Sequence, residues 1–286
     1  MKSLTAACEG FAATECLIVE SDSTDDTVAN AVDAASRNGW RFETLGALRD
    51  RMPERTARLA HCRNHLRDLI ESDYAHVDYV VLADLDGVNL GVERAAIESA
   101  WSRSEPWSVM TANQEDGYYD IWALRHPNWC PGDCWADYHA MRSLIGKEAA
   151  RDFAVHSRQI SLSPRLPPVE CDSAFGGLAI YTRDAALAGR YVGLTTDGNE
   201  VCEHVSFHAG LRRKGHKIYI NPKLVNRTQE EHRSRTKFAK LTQRISRIFT
   251  WSRLNLWEII YFSEQTRCAN PNRDRPAHLT WSFCFL

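Results

Sequence analysis

Short apolar runs alternate with longer amphipathic stretches through the first third of the chain. Residues 16–20 and 78–84 are typical of buried strands, because each is an apolar run bounded by polar positions. Between them, apolar residues recur at helical spacing from 55 to 71, which predicts a helix with one buried face. An earlier helix is expected to begin near Ser23 and to end at Gly39. This alternation favours an α/β fold whose central sheet is mostly parallel.

The later part of the chain mixes strands, helices and loops. Strands are predicted at residues 107–113, 118–124, 178–181 and 216–220, the last ending at Pro222, and a helix is predicted from 201 to 214. Residues 128–138 are expected to form a loop that leads into a helix ending near residue 154. Apolar and basic positions from 237 to 262 predict an amphipathic helix. We therefore expect one domain over residues 1–232 and a helical C-terminal extension over residues 233–286.

Two carboxylates follow the apolar run that begins at Asp78. Asp84 and Asp86 stand one residue apart, and Gly87 comes next. Acids at i and i+2 on a strand point the same way, so outside the sheet they repel each other unless a hard cation bridges them or the groups that bind it. A cation held there would neutralise a diphosphate. The alternative is a polar strand-to-loop turn, because Asp and Gly also favour turns.

The composition is that of an ordinary globular protein, with 286 residues, of which 44% are hydrophobic and 25% charged. A formal net charge of -2 provides no broad basic field, so nucleic acid is not an expected partner. The nine cysteines have no repeated spacing and are expected to remain thiols in a reducing compartment. The sequence shows neither a secretion leader nor a run near the roughly twenty apolar residues of a membrane span, which favours a cytoplasmic protein.

Five blocks occur in an order that resembles the GT-A glycosyltransferases, with family 2 as the closest general pattern. The blocks are Glu20 to Thr27, Arg63-Asn64, Asp84-Leu85-Asp86, Phe175-Gly176-Gly177, and Glu203-His204 through Arg212 to Gly215. The segments around Phe175 and Glu203 are also similar to the fungal capsule-associated mannosyltransferase-like group. The resemblance spans roughly residues 16–222. It implies a Rossmann-like GT-A domain that transfers a sugar from a nucleotide-sugar donor to a carbohydrate or lipid-linked acceptor.

The resemblance also implies donor-side roles for several acids and one cation. Glu20 and Asp22 would face the nucleotide, Arg63 and Asn64 would lie near the donor, Asp84 would contact ribose or a metal-bound water, and Asp86 would ligate Mn²⁺ or Mg²⁺ directly. His232 is a further candidate metal ligand from the C-terminal side. For Glu20, the alternative role is structural, at the start of the helix that follows it.

On the acceptor side, the resemblance implies that Glu203 is the catalytic base, with His204 as the alternative, since family 2 commonly has a second acid at that position. Asp172 resembles an acceptor contact. Trp129 belongs to a group of aromatic residues, with Trp122, Trp135 and Tyr138, that would either stack on a sugar or belong to the core. His204 and His208 also stand at i and i+4, the spacing of a zinc pair, although a third ligand is not evident.

One departure from the resemblance concerns the start of the fold. Such folds begin with a strand before the first helix, and this sequence shows no such strand, although the pattern normally places it at the centre of the sheet. Two other functions remain open: a catalytically silent nucleotide- or sugar-binding relative, and a nucleotidyltransferase that uses the same acids. The amphipathic helix predicted over residues 237–262 also allows peripheral membrane contact.

Overall fold

An eight-stranded mixed sheet forms the centre of the computed structural model, which describes residues 4, 6, 7, 11, 13–115, 117–227 and 278–285. The strands are β1 (Ala13–Glu20), β2 (Arg41–Thr44), β3 (Tyr79–Asp84), β4 (Val109–Gln114), β5 (Val169–Cys171), β6 (Leu178–Thr182), β7 (Ile218–Asn226) and β8 (His278–Phe285). The helices are α1 (Thr27–Asn38), α2 (Arg55–Asp73), α3 (Arg94–Glu98), α4 (Cys134–Ile145), α5 (Lys147–Ala154), α6 (Arg183–Leu187) and α7 (Glu203–Arg213).

The strand order is β2-β1-β8-β3-β6-β4-β7-β5. The first four strands of this order are parallel to their neighbours, whereas β6 runs antiparallel to both β3 and β4. β3 and β4 therefore run in the same direction, and their carboxyl ends meet at one edge of the sheet. The expected α/β class is confirmed, with a mixed sheet rather than a mostly parallel one on the β5 side.

Strand β8 corrects the expectation of a helical C-terminal extension. Residues 278–285 form a strand that lies between β1 and β3 and runs parallel to both. Ser282, for example, pairs with Leu17 of β1 and with Leu82 of β3. The central strand that the sequence seemed to lack is thus supplied from the C-terminal end. The helix predicted over 237–262 and the candidate ligand His232 lie outside the described residues.

Two other strand predictions need correction. Residues 118–124 form no strand, because Tyr118 and Asp120 instead bond through their side chains to the backbone N–H groups of Phe175 and Gly176. Burial of this loop gave it the apolar pattern of a strand. Strand β7 does not stop at Pro222 but continues to residue 226, since the pairing with β4 shifts register around the proline and then resumes.

The sheet is covered on both faces, and alternate residues of each central strand enter different apolar clusters. Val80 and Leu82 of β3 belong to one cluster, whereas Val81 and Ala83 belong to the other. The period-two alternation follows from strand geometry, and both faces are apolar because both are buried. Among the described residues, no helix combines the length and the apolar character that crossing a membrane requires.

The position of β8 predicts that a proline there unfolds the sheet. Ser282→Pro removes a backbone N–H from a strand that is paired on both sides. We expect the free energy of unfolding to fall by at least about 1–3 kcal/mol, the cost of leaving a buried backbone group unpaired. Urea denaturation measures this, with Ser282→Ala as a control that keeps the N–H group. Equal urea midpoints for the two variants would contradict the placement of β8.

Candidate functional site

Arg63 is buried at the centre of the candidate site and joins two carboxylates from different elements. It lies in α2, on the part of the helix that packs inward with Leu59 and Leu66. Its Nη2 atom donates to Oδ1 of Asp84 at 3.0 Å, and its Nη1 atom contacts Oε1 of Glu203, the first residue of α7. A buried ion-pair bridge therefore connects the end of β3 to the start of α7.

Three carboxylates come together near this bridge. Asp84 ends β3, Asp86 is exposed in the loop that follows, and Asp120 lies in the loop after β4. Burial raises the pKa of Asp84 to about 6, and the negative charges of Asp86 and Asp120 act in the same direction against the opposing charge of Arg63. Burial also raises the pKa of Asp120, although backbone N–H groups of Gly176 and Ala123 bond to its carboxylate. The local field therefore favours a positively charged ligand.

The Gly176-Gly177 turn before β6 holds Asp84 and Asp120 in place. The carbonyl oxygen of Gly177 accepts from the backbone N–H of Asp84 at 2.9 Å, and the N–H of Gly176 donates to Oδ2 of Asp120 at 3.0 Å. Both glycines have positive φ, and a Cβ on Gly176 would lie 2.8 Å from the carbonyl oxygen of Ala112. This turn requires glycine at both positions, because only glycine adopts that backbone freely and allows so close an approach.

Three buried amide side chains fix the same turn to the strand ends. Asn226 at the end of β7 donates to Oδ1 of Asn89 at 2.8 Å and to the carbonyl oxygen of Gly176 at 2.7 Å. Gln114 at the end of β4 donates to the same Gly176 carbonyl oxygen at 2.9 Å. Asn89 donates to the carbonyl oxygen of Asp84 at 2.8 Å. The loop that carries the acidic pair is thereby tied to the carboxyl ends of three strands.

The two histidines of α7 have different environments. The His204 ring stacks on Phe175, with 3.8 Å between ring centroids, and neither of its nitrogens has a hydrogen-bond partner. Burial, with the nearby charge of Arg63, lowers the pKa of His204 far below its usual range, so the ring is neutral. His208 instead bonds to the hydroxyls of Ser173 and Tyr181, each at 3.0 Å. Because both nitrogens of His208 are engaged, the pair does not form a zinc site.

A cavity of about 490 Å³ opens over these groups, within the size range of ligand sites. Its walls include the acids Asp84, Asp86, Asp120 and Glu203, the bases Arg55, Arg63, Arg151, His156 and His204, and the aromatic residues Tyr119, Trp122, Trp135 and Phe175. Acidic, basic and aromatic side chains thus face one space. This combination fits a polar ligand with flat apolar surfaces, as sugars and nucleotides have.

The structure keeps Glu20 and Asp22 out of the cavity. Glu20 is buried and accepts from the backbone N–H of Ser23 at 2.8 Å and from the Thr44 hydroxyl at 2.7 Å. Asp22 has a φ of 65° and pairs with the buried Arg58 at 3.2 Å. Both carboxylates hold the turn between β1 and α1. For Glu20, this is the structural role that the sequence left as an alternative.

Three further predicted residues also lie apart from the cavity. Asn64 forms a reciprocal pair of hydrogen bonds with the backbone of Tyr191, at 2.8 and 2.9 Å. Trp129 is buried in the core, and its indole N–H donates to the carbonyl oxygen of Arg158 at 2.7 Å. Asp172 forms an exposed ion pair with Arg212 at 2.7 Å. Of the aromatic group, Trp122 and Trp135 line the cavity instead.

Asp120, Arg55 and Arg151 line the cavity although the sequence analysis did not single them out. Asp120 was hidden inside a segment interpreted as a strand. Arg55 precedes Arg63 by eight residues on α2, so a helical-face argument extended from Arg63 would have found it. No sequence signal distinguished Arg151 from other surface arginines, because its wall is built by the long-range packing of α5.

No protein-family model matches the chain, and no curated protein matches its sequence. A search of solved structures finds similarity to the crystal structure of A197 from STIV. That similarity has 11% sequence identity and a TM-score of 0.36, and covers 78% of this chain and 98% of that chain. A likeness at this level supports no conclusion about fold family or activity, so the site itself must support any functional assignment.

The acidic pair fits a cation that is shared with a substrate, not one held by the protein alone. Across residues 13–115 and 117–227, no group of three His, Cys, Asp or Glu side chains is arranged to hold a metal ion. Mg²⁺ sites of phosphate-handling enzymes typically use one or two carboxylates and complete the shell with substrate phosphates and water. Asp84 and Asp86 meet that requirement, and their mutual repulsion, expressed in the raised pKa of Asp84, would be relieved by the cation.

The bridge through Arg63 predicts a large stability cost when only one partner is removed. Arg63→Met leaves Glu203 buried without its counter-charge, so we expect a loss of about 3–5 kcal/mol in the free energy of unfolding. The double variant Arg63→Met/Glu203→Met should recover most of that loss, because two apolar side chains then replace the ions. Urea denaturation measures both. Arg37→Met, which breaks an exposed pair with Asp33, is the control and should cost under about 1 kcal/mol. A loss in Arg63→Met no greater than in this control would rule out the bridge.

Proposed function

We propose that this chain is a metal-dependent glycosyltransferase that moves a sugar from a nucleotide-sugar donor to a carbohydrate or lipid-linked acceptor. One observation carries the proposal. Asp84 and Asp86, which the sequence assigns to a cation, line the same cavity as Glu203, which the sequence assigns to the acceptor side, and Arg63 joins the two. Residues from distant blocks of the chain thus meet at one place, in the combination that sugar transfer requires.

The sheet gives a second support for a GT-A-like domain. β8 occupies the position between β1 and β3, where the resemblance expects the central first strand. With that strand in place, the carboxyl ends of β1, β3 and β4 form one edge, and the acidic pair projects from it. Ligands of open α/β sheets bind at this edge. The missing-strand departure therefore no longer counts against the proposal.

In this proposal, Asp84 and Asp86 bind Mn²⁺ or Mg²⁺ together with the diphosphate of the donor. When bound, the cation stabilises the negative charge of the departing nucleoside diphosphate. Arg63 keeps Asp84 oriented through its 3.0 Å hydrogen bond. The flat faces of Trp122 and Trp135 line the cavity and would exclude water from the transferred sugar.

We assign the proton acceptor to Asp120 in preference to Glu203. The positive charge of Arg63 stabilises the ionised form of Glu203 and so makes it a weak base. Asp120 has a raised pKa and lines the same cavity. Its carboxylate takes the proton of the acceptor hydroxyl, while that oxygen bonds to the anomeric carbon and the bond from that carbon to the diphosphate breaks. Glu203 then serves to position Arg63.

Replacement of Asp86 should abolish metal-dependent turnover. Asp86→Ala removes the exposed carboxylate of the acidic pair, so we expect release of nucleoside diphosphate from the donor to fall by at least about 10²-fold, the size of effect typical when a charge-stabilising group is lost. Chromatography of a panel of nucleotide sugars, incubated with and without Mn²⁺, measures the release. Asp33→Ala, which removes an exposed surface carboxylate, is the control. Wild-type protein that binds a nucleoside diphosphate but turns over no donor would instead favour a silent binding protein.

The Asp120 assignment predicts a specific pH profile. A base with a raised pKa must lose its proton to act, so the wild-type rate should rise with pH through that pKa and then level off. Asp120→Asn should lower kcat by about 10²–10⁴-fold and remove this rising limb, with little change in KM. Initial rates from pH 5 to 9 test both statements. If Glu203→Gln removes the limb while Asp120→Asn retains it, Glu203 is the base and our assignment is wrong.

A further inference from the structure

Two arginines of the cavity are not used by the proposed chemistry. Arg55 begins α2, and Arg151 lies in α5. Both side chains are exposed, both line the cavity, and neither has an ion pair or a hydrogen bond with any described residue. Arg63, in contrast, is buried and fully engaged by Asp84 and Glu203. The cavity therefore presents two guanidinium groups whose charge the described protein does not compensate.

Arg55 is separated from the acidic pair along the cavity wall. Arg55, Leu59 and Arg63 follow at four-residue steps on one face of α2, and all three line the cavity. Eight residues at 1.5 Å per residue place the backbone of Arg55 about 12 Å from that of Arg63. Charge-assisted hydrogen bonds span only about 2.7–2.9 Å. An anion held by Arg55 is thus a different group from a phosphate held next to Asp84.

The remaining wall near Arg151 is suited to a sugar ring. Arg151, Val155 and His156 lie on consecutive turns at the end of α5, and Trp135 of the preceding helix faces the same cavity. Guanidinium groups bind carboxylates and phosphates through paired N–H donors, and indole rings pack on the apolar faces of sugars. Cation, flat ring and cavity together fit a sugar that carries an anionic group.

We propose that Arg55 and Arg151 bind a negatively charged substituent, a carboxylate or a phosphate ester, on the sugar that accepts the transferred residue. The word acceptor rests on the proposed function, whereas the binding of an anionic sugar does not. The acceptor is then an acidic saccharide and not a neutral one. Selection against a neutral sugar follows, because that sugar would leave both guanidinium groups unpaired in the cavity.

Binding of three sugars to the full chain tests this proposal without any turnover. NMR titration at low salt with glucuronate, glucose 6-phosphate and glucose compares a carboxylate, a phosphate and no charge on the same ring. We expect at least one charged sugar to bind about tenfold more tightly than glucose, the effect of one charge-assisted hydrogen bond. Preference for glucuronate assigns the anion to a carboxylate, and preference for glucose 6-phosphate to a phosphate. Equal affinity for all three overturns the proposal.

Two variants locate the effect. Arg55→Gln/Arg151→Gln should lose the preference for the charged sugar, and should fold normally because both side chains are exposed and have no partner. Arg213→Gln removes the same kind of exposed charge from α7 outside the cavity and should keep the preference. A preference retained in the double variant, or lost in Arg213→Gln, contradicts the assignment.

A donor role for the two arginines is distinguished with inorganic pyrophosphate and Mn²⁺. We expect pyrophosphate binding to be lost in Asp86→Ala and retained in the double arginine variant. Equal loss in both would place the arginines at the donor and overturn the proposal. Failure of the glycosyltransferase proposal has a separate signature, because absence of donor turnover leaves the sugar titration unchanged.

Discussion

The buried contact of Arg63 with Asp84 and Glu203 is the interaction on which the candidate site depends. A guanidinium in the interior must be paired, and here its two carboxylates come from the end of β3 and the start of α7. The pairing fixes where the acidic pair begins and where α7 enters the cavity. It also uses the charge of Glu203, which leaves Asp120 as the carboxyl group with a raised pKa and room to accept a proton.

Around this contact, the turn at Gly176-Gly177 gives the site its rigidity. Its backbone bonds to Asp84 and Asp120, and the amide groups of Gln114 and Asn226 hold it from the strand ends. Every one of these groups is buried or partly buried, so an unpaired member would cost about 1–3 kcal/mol. Such a network holds carboxylates close together despite their repulsion. A cation that joins them then binds to a site that is already formed.

Local pattern predicted those parts of the site that depend on neighbours in sequence. The run before Asp84 is apolar enough to show a strand, and the helical spacing around Arg63 shows a buried face. Pattern failed where partners are distant. Glu20 turned towards Thr44, and Asp120 lay in a loop that only contact with Gly176 explains. Strand β8 was missed because its place between β1 and β3 is set by pairing across almost the whole chain.

The most direct measurement is the position of Mn²⁺ in crystals grown or soaked with Mn²⁺ and pyrophosphate. Anomalous scattering locates the metal without reference to activity. The account predicts one peak at about 2.0–2.6 Å from carboxylate oxygen of Asp86, on the cavity side of Asp84, with pyrophosphate completing the coordination. A well-ordered crystal with pyrophosphate bound elsewhere, or with no metal peak beside Asp84 and Asp86, would contradict the claim that this acidic pair serves a substrate-bound cation.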